Sequence, residues 1–255
     1  MIRESIKENL IGMNKEFRFR GKEQTRIETF SDAVFALAIT MLIVSTEMPK
    51  DFTEMLTFVA DLLPFGLCMA LIVYIWYEHF QFFIRYGFRN PRIVVFNAML
   101  LFVVLFYVYP LKFLAKLLVV IYSNIFMSLF GYERATLSGV QMISNEEMPQ
   151  LMIIYGLGAA LVFAILTLMY KYALKKSEEL ELNEIEMFDT RTSLYTNIIM
   201  GSVPLLSVLF AWIFSPYWFS SIISGFTYML YPGIFAIYGS KRGRKRKLLV
   251  QRLGL

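Results

Sequence analysis

The chain has 255 residues, of which 57% are apolar or aromatic and 18% are charged, with a net charge of +5. A soluble domain usually has about 25% charged residues, and here the charges lie in blocks between long apolar runs. This distribution favours an integral membrane protein over a soluble enzyme or binding domain. The single cysteine, Cys68, excludes a disulfide framework and a cysteine-ligated metal site.

Six apolar runs are long enough for a membrane-spanning helix, which needs about 20 mostly apolar residues. They cover Ile27 to Met48, Leu56 to Phe80, Ile93 to Ile121, Leu151 to Tyr172, Leu194 to Phe214 and Tyr217 to Tyr238. The sequence therefore predicts an all-α integral membrane protein with six transmembrane helices. We expect one transmembrane domain over residues 1–255, with a cytoplasmic N-terminal segment (1–26), a six-span bundle (27–239) and a basic cytoplasmic tail (240–255).

Two segments complicate this pattern. Pro110, Lys112 and Lys116 interrupt the third run. A membrane helix tolerates a proline when neighbours satisfy the freed carbonyl, and lysines can extend to the outer surface. The segment from Ser177 to Asp189 is acidic, and we predict that it is an inner helical connection.

The basic residues predict the topology. With the N-terminus inside, 21 of the 25 Lys and Arg residues lie in inner segments, and Lys50, Lys112, Lys116 and Arg134 lie outside. Basic residues concentrate on the cytoplasmic side, so we predict a plasma-membrane protein with both termini in the cytoplasm. The basic tail is compatible with nucleic-acid binding, but juxtamembrane charge that contacts anionic lipid is favoured.

The first three runs contain polar residues that need an explanation, because ionisable groups inside a membrane are costly. Asp32 lies in the first run and His79 in the second, and Asn97 lies at matching depth in the third. We predict a hydrogen-bonded cluster of Ser31, Asp32, His79 and Asn97, with Trp76 beside it. A structural anchor is the favoured role, and a proton relay in a secondary transporter is the alternative.

The first run has two different faces when it is drawn as a helix with 100° per residue. Its apolar face groups Phe30, Ala33, Leu37, Thr40, Met41, Val44 and Met48. Ser31 and Asp32 lie on the far side. Apolar stripes occur on every span of a helical bundle, so this pattern alone indicates ordinary packing.

A motif at the start of this run resembles a known family. Arg26, Phe30, Ser31 and Asp32 spell Arg-x-x-x-Phe-Ser-Asp. This resembles the signature of the lysosomal-type potassium channels and their prokaryotic relatives. Further residues that fit the family's pattern are Leu37, Thr40, Trp76, His79 and Asn97. The six-span length is similar to that of the single-repeat prokaryotic members.

The resemblance implies a homotetrameric cation channel without the usual potassium filter, in which four first helices line the pore. It implies a constriction at Leu37, a contribution of Thr40 to ion preference, and further pore-facing positions at Met41 and Val44. The implied partners are other copies of the chain, the lipid bilayer and permeating potassium ions, with no cofactor and no nucleic acid. Arg26 shares the azimuth of Leu37, and we expect its side chain to bend away from the pore.

The residues also argue against a membrane enzyme. The chain has one histidine, no zinc motif and no serine-nucleophile elbow. The resemblance therefore implies a potassium-preferring channel, and a proton-coupled secondary transporter that uses Asp32 and His79 is the alternative.

Overall fold

The computed structural model describes residues 16–21, 23–44, 49–130, 147–217 and 219–254, and within these residues the regular structure is entirely helical. The helices are α1 (Arg26–Val44), α2 (Phe52–Ala60), α3 (Leu62–Tyr86), α4 (Pro91–Leu129), α5 (Met148–Lys175), α6 (Glu184–Ile213), α7 (Ser220–Phe226) and α8 (Leu230–Leu253). A 3-10 turn, Thr227–Met229, joins α7 to α8. The predicted all-α fold is confirmed.

Five segments of the described chain are long and apolar enough to cross a bilayer. They are Phe52–Tyr86, Pro91–Val120, Met148–Lys175, Glu184–Ile213 and Ser220–Leu253. The 19-residue helix α1 is not among these five. A multi-pass membrane protein is therefore confirmed, and a sixth crossing by α1 stays a prediction.

The helix boundaries differ from the predicted runs in several places. The second run is divided at Asp61 between α2 and α3, and the sixth is divided by the 3-10 turn. In contrast, α4 continues through Pro110, whose carbonyl oxygen accepts a hydrogen bond from the Tyr155 hydroxyl of α5. The predicted end of the first run at Met48, residues 1–15 and residues 131–146 of the predicted outer loop lie outside the described residues.

Helix α6 begins at Glu184, well before the predicted start of the fifth run at Leu194. The reason is a capping box, in which two residues satisfy each other's free backbone N–H groups. The Glu186 backbone N–H donates to Asn183 Oδ1 at 2.8 Å, and the Asn183 N–H donates to Glu186 Oε2 at 3.0 Å. The predicted inner connection is therefore partly the first turn of this helix.

The helices pack in two groups that share α4. Helix α1 packs against α3 and α4, and α5 packs against both α4 and α6. The contact between α5 and α6 is close because small residues lie along it. A Cβ atom on Gly156 would lie 2.5 Å from Val208 Cγ2 and 3.1 Å from the Pro204 carbonyl oxygen, so a larger residue would separate these helices.

Residues 16–21, which we call the N-terminal clip, pack against the last turn of α3. The N–H groups of Arg20 and Gly21 donate to the carbonyl oxygens of Arg85 and Ile84 at 3.3 and 3.0 Å. They thereby satisfy carbonyls that a helix end leaves unpaired. A Cβ atom on Gly21 would lie 2.6 Å from the Phe83 carbonyl oxygen, so the clip requires glycine here.

The clip is also bound to α6 and α8 through charged groups. The fully buried Glu186 carboxylate accepts hydrogen bonds from the guanidinium groups of Arg18 and Arg20, each at 2.9 Å. Glu16 pairs with Arg246 of α8 at 2.8 Å. We call the end of the bundle that holds the clip the inner end, and the opposite end, with Leu42 and Asp61, the outer end.

Replacing Glu186 by glutamine should destabilise the protein, because hydrogen bonds to a charged acceptor are stronger than those to a neutral one. We expect a loss of about 1–3 kcal/mol, seen as a lower thermal unfolding midpoint of the detergent-solubilised protein.

The matched control is Glu184→Gln in the same helical turn. Glu184 pairs with Arg252, but both side chains are more than half exposed, and exposed ion pairs contribute little to stability. Equal shifts in the two variants would show that the buried carboxylate has no special role.

Candidate functional site

Helix α1 begins with a capping box that fixes its first turn. The Thr25 N–H donates to Glu28 Oε2 at 2.7 Å, and the Glu28 N–H donates to Thr25 Oγ1 at 3.2 Å. The face of the helix that packs against α3 and α4 comprises the buried residues Ser31, Val34, Phe35, Ala38 and Leu42. The first turn and this buried face together set the direction of the helix.

A chain of three side-chain hydrogen bonds crosses from α3 through α4 to α1. His79 Nε2 lies 2.8 Å from Asn97 Oδ1, and Asn97 Nδ2 donates to Ser31 Oγ at 2.9 Å. The Ser31 hydroxyl donates to the Ile27 carbonyl oxygen at 2.7 Å. Because the amide oxygen only accepts, His79 donates from Nε2, and all three side chains are buried.

Asp32 belongs to a separate hydrogen-bonded group. Its carboxylate accepts from Trp76 Nε1 at 2.8 Å and from Gln24 Nε2 at 3.0 Å. Indole and amide N–H groups do not titrate in the physiological range. The structure therefore brings the predicted residues into two groups, Ser31–Asn97–His79 and Asp32–Trp76, which no hydrogen bond among the described residues joins.

The opposite face of α1 is exposed on the single chain. Leu37 has 52% and Phe30 has 64% of its surface exposed. Other exposed residues of this face are Ala33, Ala36, Thr40 and Ile43. From Phe30 to Ile43 the exposed face therefore carries no charge, and its one hydroxyl, that of Thr40, donates to the Ala36 carbonyl oxygen at 2.9 Å.

The remaining predicted positions on α1 differ from one another. Met41 is half-buried and packs against the bundle core, so it lies at the edge of the exposed face. The side chain of Val44 lies outside the described residues. Arg26 is exposed, and no other described residue forms an ion pair or hydrogen bond with its side chain. Its expected bend away from the pore stays a prediction.

Lysines from α4 hold the outer end of α1 and α3. Lys112 Nζ donates to the carbonyl oxygen of Leu42 at 2.8 Å, and Lys116 pairs with Asp61. A positive charge at the last turn of a helix satisfies a free carbonyl and complements the helix dipole. The two lysines that interrupt the third apolar run therefore both have acceptors at this end.

Sequence reasoning did not assign three contributors to this site. Gln24 binds Asp32, Lys112 holds the end of α1, and Glu186 holds the clip that precedes α1. The Asn-x-x-Glu spacing of Asn183 and Glu186 is a recognisable helix-start signal. An intramembrane lysine also requires an acceptor, although neither signal identifies the partner.

Comparisons with known proteins show what this arrangement is similar to. Residues 26–107 match the family model of the endosomal/lysosomal potassium channel TMEM175. A potassium channel of Marivirga tractuosa is 45% identical over 246 residues, which are 96% of this chain and 98% of the relative. A potassium channel of Chamaesiphon minutus is 28% identical over 123 residues, 42% of this chain and 61% of that relative.

A solved structure has a similar fold. The crystal structure of a threonine-to-alanine variant of the potassium channel MtTMEM175, in complex with a nanobody–MBP fusion protein, matches with a TM-score of 0.80 and 44% identity. The match covers 92% of this chain and all of that one. The resemblance that the motif indicated is confirmed, and it places the chain among channels, which are not enzymes. The chain belongs to the TMEM175 family of potassium channels.

Proposed function

We propose that the chain forms a homotetramer in the plasma membrane and conducts potassium ions through a central pore lined by four copies of α1. The observation that carries this proposal is the uncharged, exposed face of α1 from Phe30 to Ile43. Most polar side chains of this helix are bound within the subunit, so the exposed face remains for contact with other subunits and with ions. Ala33 and Ala36 on this face favour close helix approach.

Side chains line this pore, since the sequence contains no Thr-Val-Gly-Tyr-Gly run from which the usual ring of filter carbonyls is built. Four Leu37 side chains around the axis form an apolar neck. Such a neck gates by dewetting, because water leaves a narrow apolar constriction and an ion then has to cross it unhydrated. The half-exposed Leu37 is free to take this position.

Thr40 supplies oxygen atoms about 4.5 Å further along the axis than Leu37, at 1.5 Å per helical residue. Its hydroxyl proton is engaged by the Ala36 carbonyl, so the free lone pairs of the oxygen are available to a cation. Potassium loses water at a lower cost than sodium does. A ring of four hydroxyl groups therefore gives a modest preference for potassium.

In this proposal both termini lie on the cytoplasmic side. Helix α1 crosses the membrane as well, which brings the number of crossings from five to six. The ion pair between Glu16 and Arg246 supports a shared side, because it joins the clip to α8 at one end of the bundle. The 21 basic residues of the predicted inner segments support the cytoplasmic assignment.

The geometry does not favour the alternative of a proton-coupled transporter that uses Asp32 and His79. The two side chains belong to different hydrogen-bonded groups. The chain that starts at His79 ends on the Ile27 carbonyl oxygen, which has no proton to pass on. A structural role in anchoring α1 explains the hydrogen bonds of both residues without any proton transfer.

Replacing Leu37 by asparagine should hydrate the neck and raise potassium flux from liposomes that contain the purified protein. A tenfold rise corresponds to a barrier lower by about 1.4 kcal/mol. Leu37→Met is the matched control, because it conserves volume and apolarity and should conduct like the wild type.

Chemical cross-linking of the same samples should give species up to a tetramer. Equal flux from the asparagine and methionine variants, in samples that contain tetramers, would show that Leu37 does not lie at the narrowest point. A wild-type protein that stays monomeric would contradict the proposed pore.

Replacing Thr40 by valine removes the hydroxyl group at nearly constant volume. We expect the potassium-to-sodium permeability ratio to fall by about threefold, which is less than about 1 kcal/mol in relative barrier height. The ratio is measured from reversal potentials in planar bilayers. Thr40→Ser keeps the hydroxyl group and should keep the permeability ratio. An equal fall of the ratio in the serine and valine variants would show that the hydroxyl group does not determine the preference for potassium.

Replacing Asp32 by alanine leaves the partly buried Trp76 N–H without its acceptor. We expect a stability loss of about 1–3 kcal/mol and fewer tetramers by size-exclusion chromatography, with unchanged conductance for each channel that assembles. Asp32→Asn keeps an acceptor oxygen and should be milder. Stable alanine and asparagine tetramers with altered proton dependence of flux would instead favour the transporter.

A further inference from the structure

The second half of α8 is strongly basic, and the proposed pore does not use it. Helix α8 runs without a break from Leu230 to Leu253 and contains no buried residue. It continues directly from the apolar segment that starts at Ser220. Lys241 and Lys247 are separated by about 9 Å along this helix at 1.5 Å per residue, comparable with the depth of one headgroup layer, about 5–8 Å.

Two arginines of this half face the protein. Arg246 binds the Asp189 carboxylate at 2.9 Å and Glu16 of the clip at 2.8 Å. The Arg242 guanidinium lies 4.9 Å from the ring centre of Phe188. Residues four apart share a helix face, so this face of α8 is held against α6 and the clip.

Other cations of α8 lie on the opposite face. At 100° per residue, Arg244 is directly opposite the Arg242–Arg246 face, and Lys241 and Lys247 lie on either side of Arg244. All three are exposed. In the part of the chain that the structure describes, none of them forms an ion pair or a side-chain hydrogen bond. They therefore form an unpaired basic surface within two helical turns.

We propose that Lys241, Arg244 and Lys247 bind the phosphate groups of anionic phospholipids in the leaflet at the inner end of the bundle. Charge complementarity selects this occupant, because basic residues next to a span are attracted to anionic headgroups. The position of α8 supports a lipid over a soluble anion, since these cations directly follow an apolar segment long enough to cross a bilayer and so lie at headgroup depth.

Lipid binding at this surface should also stabilise the contacts that α8 makes with other parts of the protein. The same helix is bound on its other face to Asp189 and to Glu16 of the clip, which precedes α1. A lipid that immobilises α8 therefore also stabilises the contact between the clip and α6. We expect phosphatidylglycerol to raise the thermal unfolding midpoint, whereas zwitterionic phosphatidylcholine lacks the net charge to do so.

The test uses full-length protein in detergent, titrated with phosphatidylglycerol or phosphatidylcholine. Native mass spectrometry counts the bound lipids, and thermal unfolding reports stabilisation. The triple variant Lys241→Gln, Arg244→Gln, Lys247→Gln should bind phosphatidylglycerol about tenfold more weakly or worse. It should bind phosphatidylcholine like the wild type.

The matched control removes the same charge elsewhere at the inner end. Arg92, Lys171 and Lys175 are also exposed, and the variant with glutamine at all three should keep most of the phosphatidylglycerol binding. Equal losses in the two triple variants would overturn the proposal, because they would indicate non-specific surface charge. Stabilisation by inorganic phosphate equal to that by the lipid would overturn it in favour of a soluble anion.

Discussion

The orientation of α1 depends on hydrogen bonds between its polar side chains and two neighbouring helices. Asn97 of α4 joins Ser31 to His79, and Trp76 of α3 binds Asp32. Rotation of α1 about its own axis would leave these buried and partly buried groups unpaired, at a cost of about 1–3 kcal/mol for each fully buried group. The azimuth of the helix is therefore set within one subunit, and with it the direction in which Leu37 and Thr40 face.

Contacts at both ends of α1 also help to fix its orientation. The clip, which precedes α1 in the chain, is bound to α3, α6 and α8. At the outer end, Lys112 donates a hydrogen bond to the carbonyl oxygen of Leu42. The charged partners lie at the two ends of the bundle, and the exposed part of α1 between them is uncharged. This separation suits a membrane protein, because charges near the headgroups keep part of their hydration whereas charges at mid-depth do not.

The depth of the polar side chains in the bundle was predictable from the sequence, but the direction in which each side chain faces was only partly predictable. Distance from the ends of the apolar runs placed Ser31, His79 and Asn97 at one level, and they do form one chain of hydrogen bonds. Asp32 is at the same level but binds Trp76 and Gln24 instead of His79. Helical periodicity relates residues within one helix and contains no information on how neighbouring helices are rotated.

The sequence by itself determined the helical membrane class and the family motif, because apolar length, charge bias and residue spacing are local properties. Only the tertiary structure decided which polar groups pair, which face of α1 stays exposed and what holds its ends. Asn97 and Ser31 are 66 positions apart, and Glu186 and Arg18 are 168 positions apart. Such pairs form through the packing of whole helices, so no local pattern specifies them.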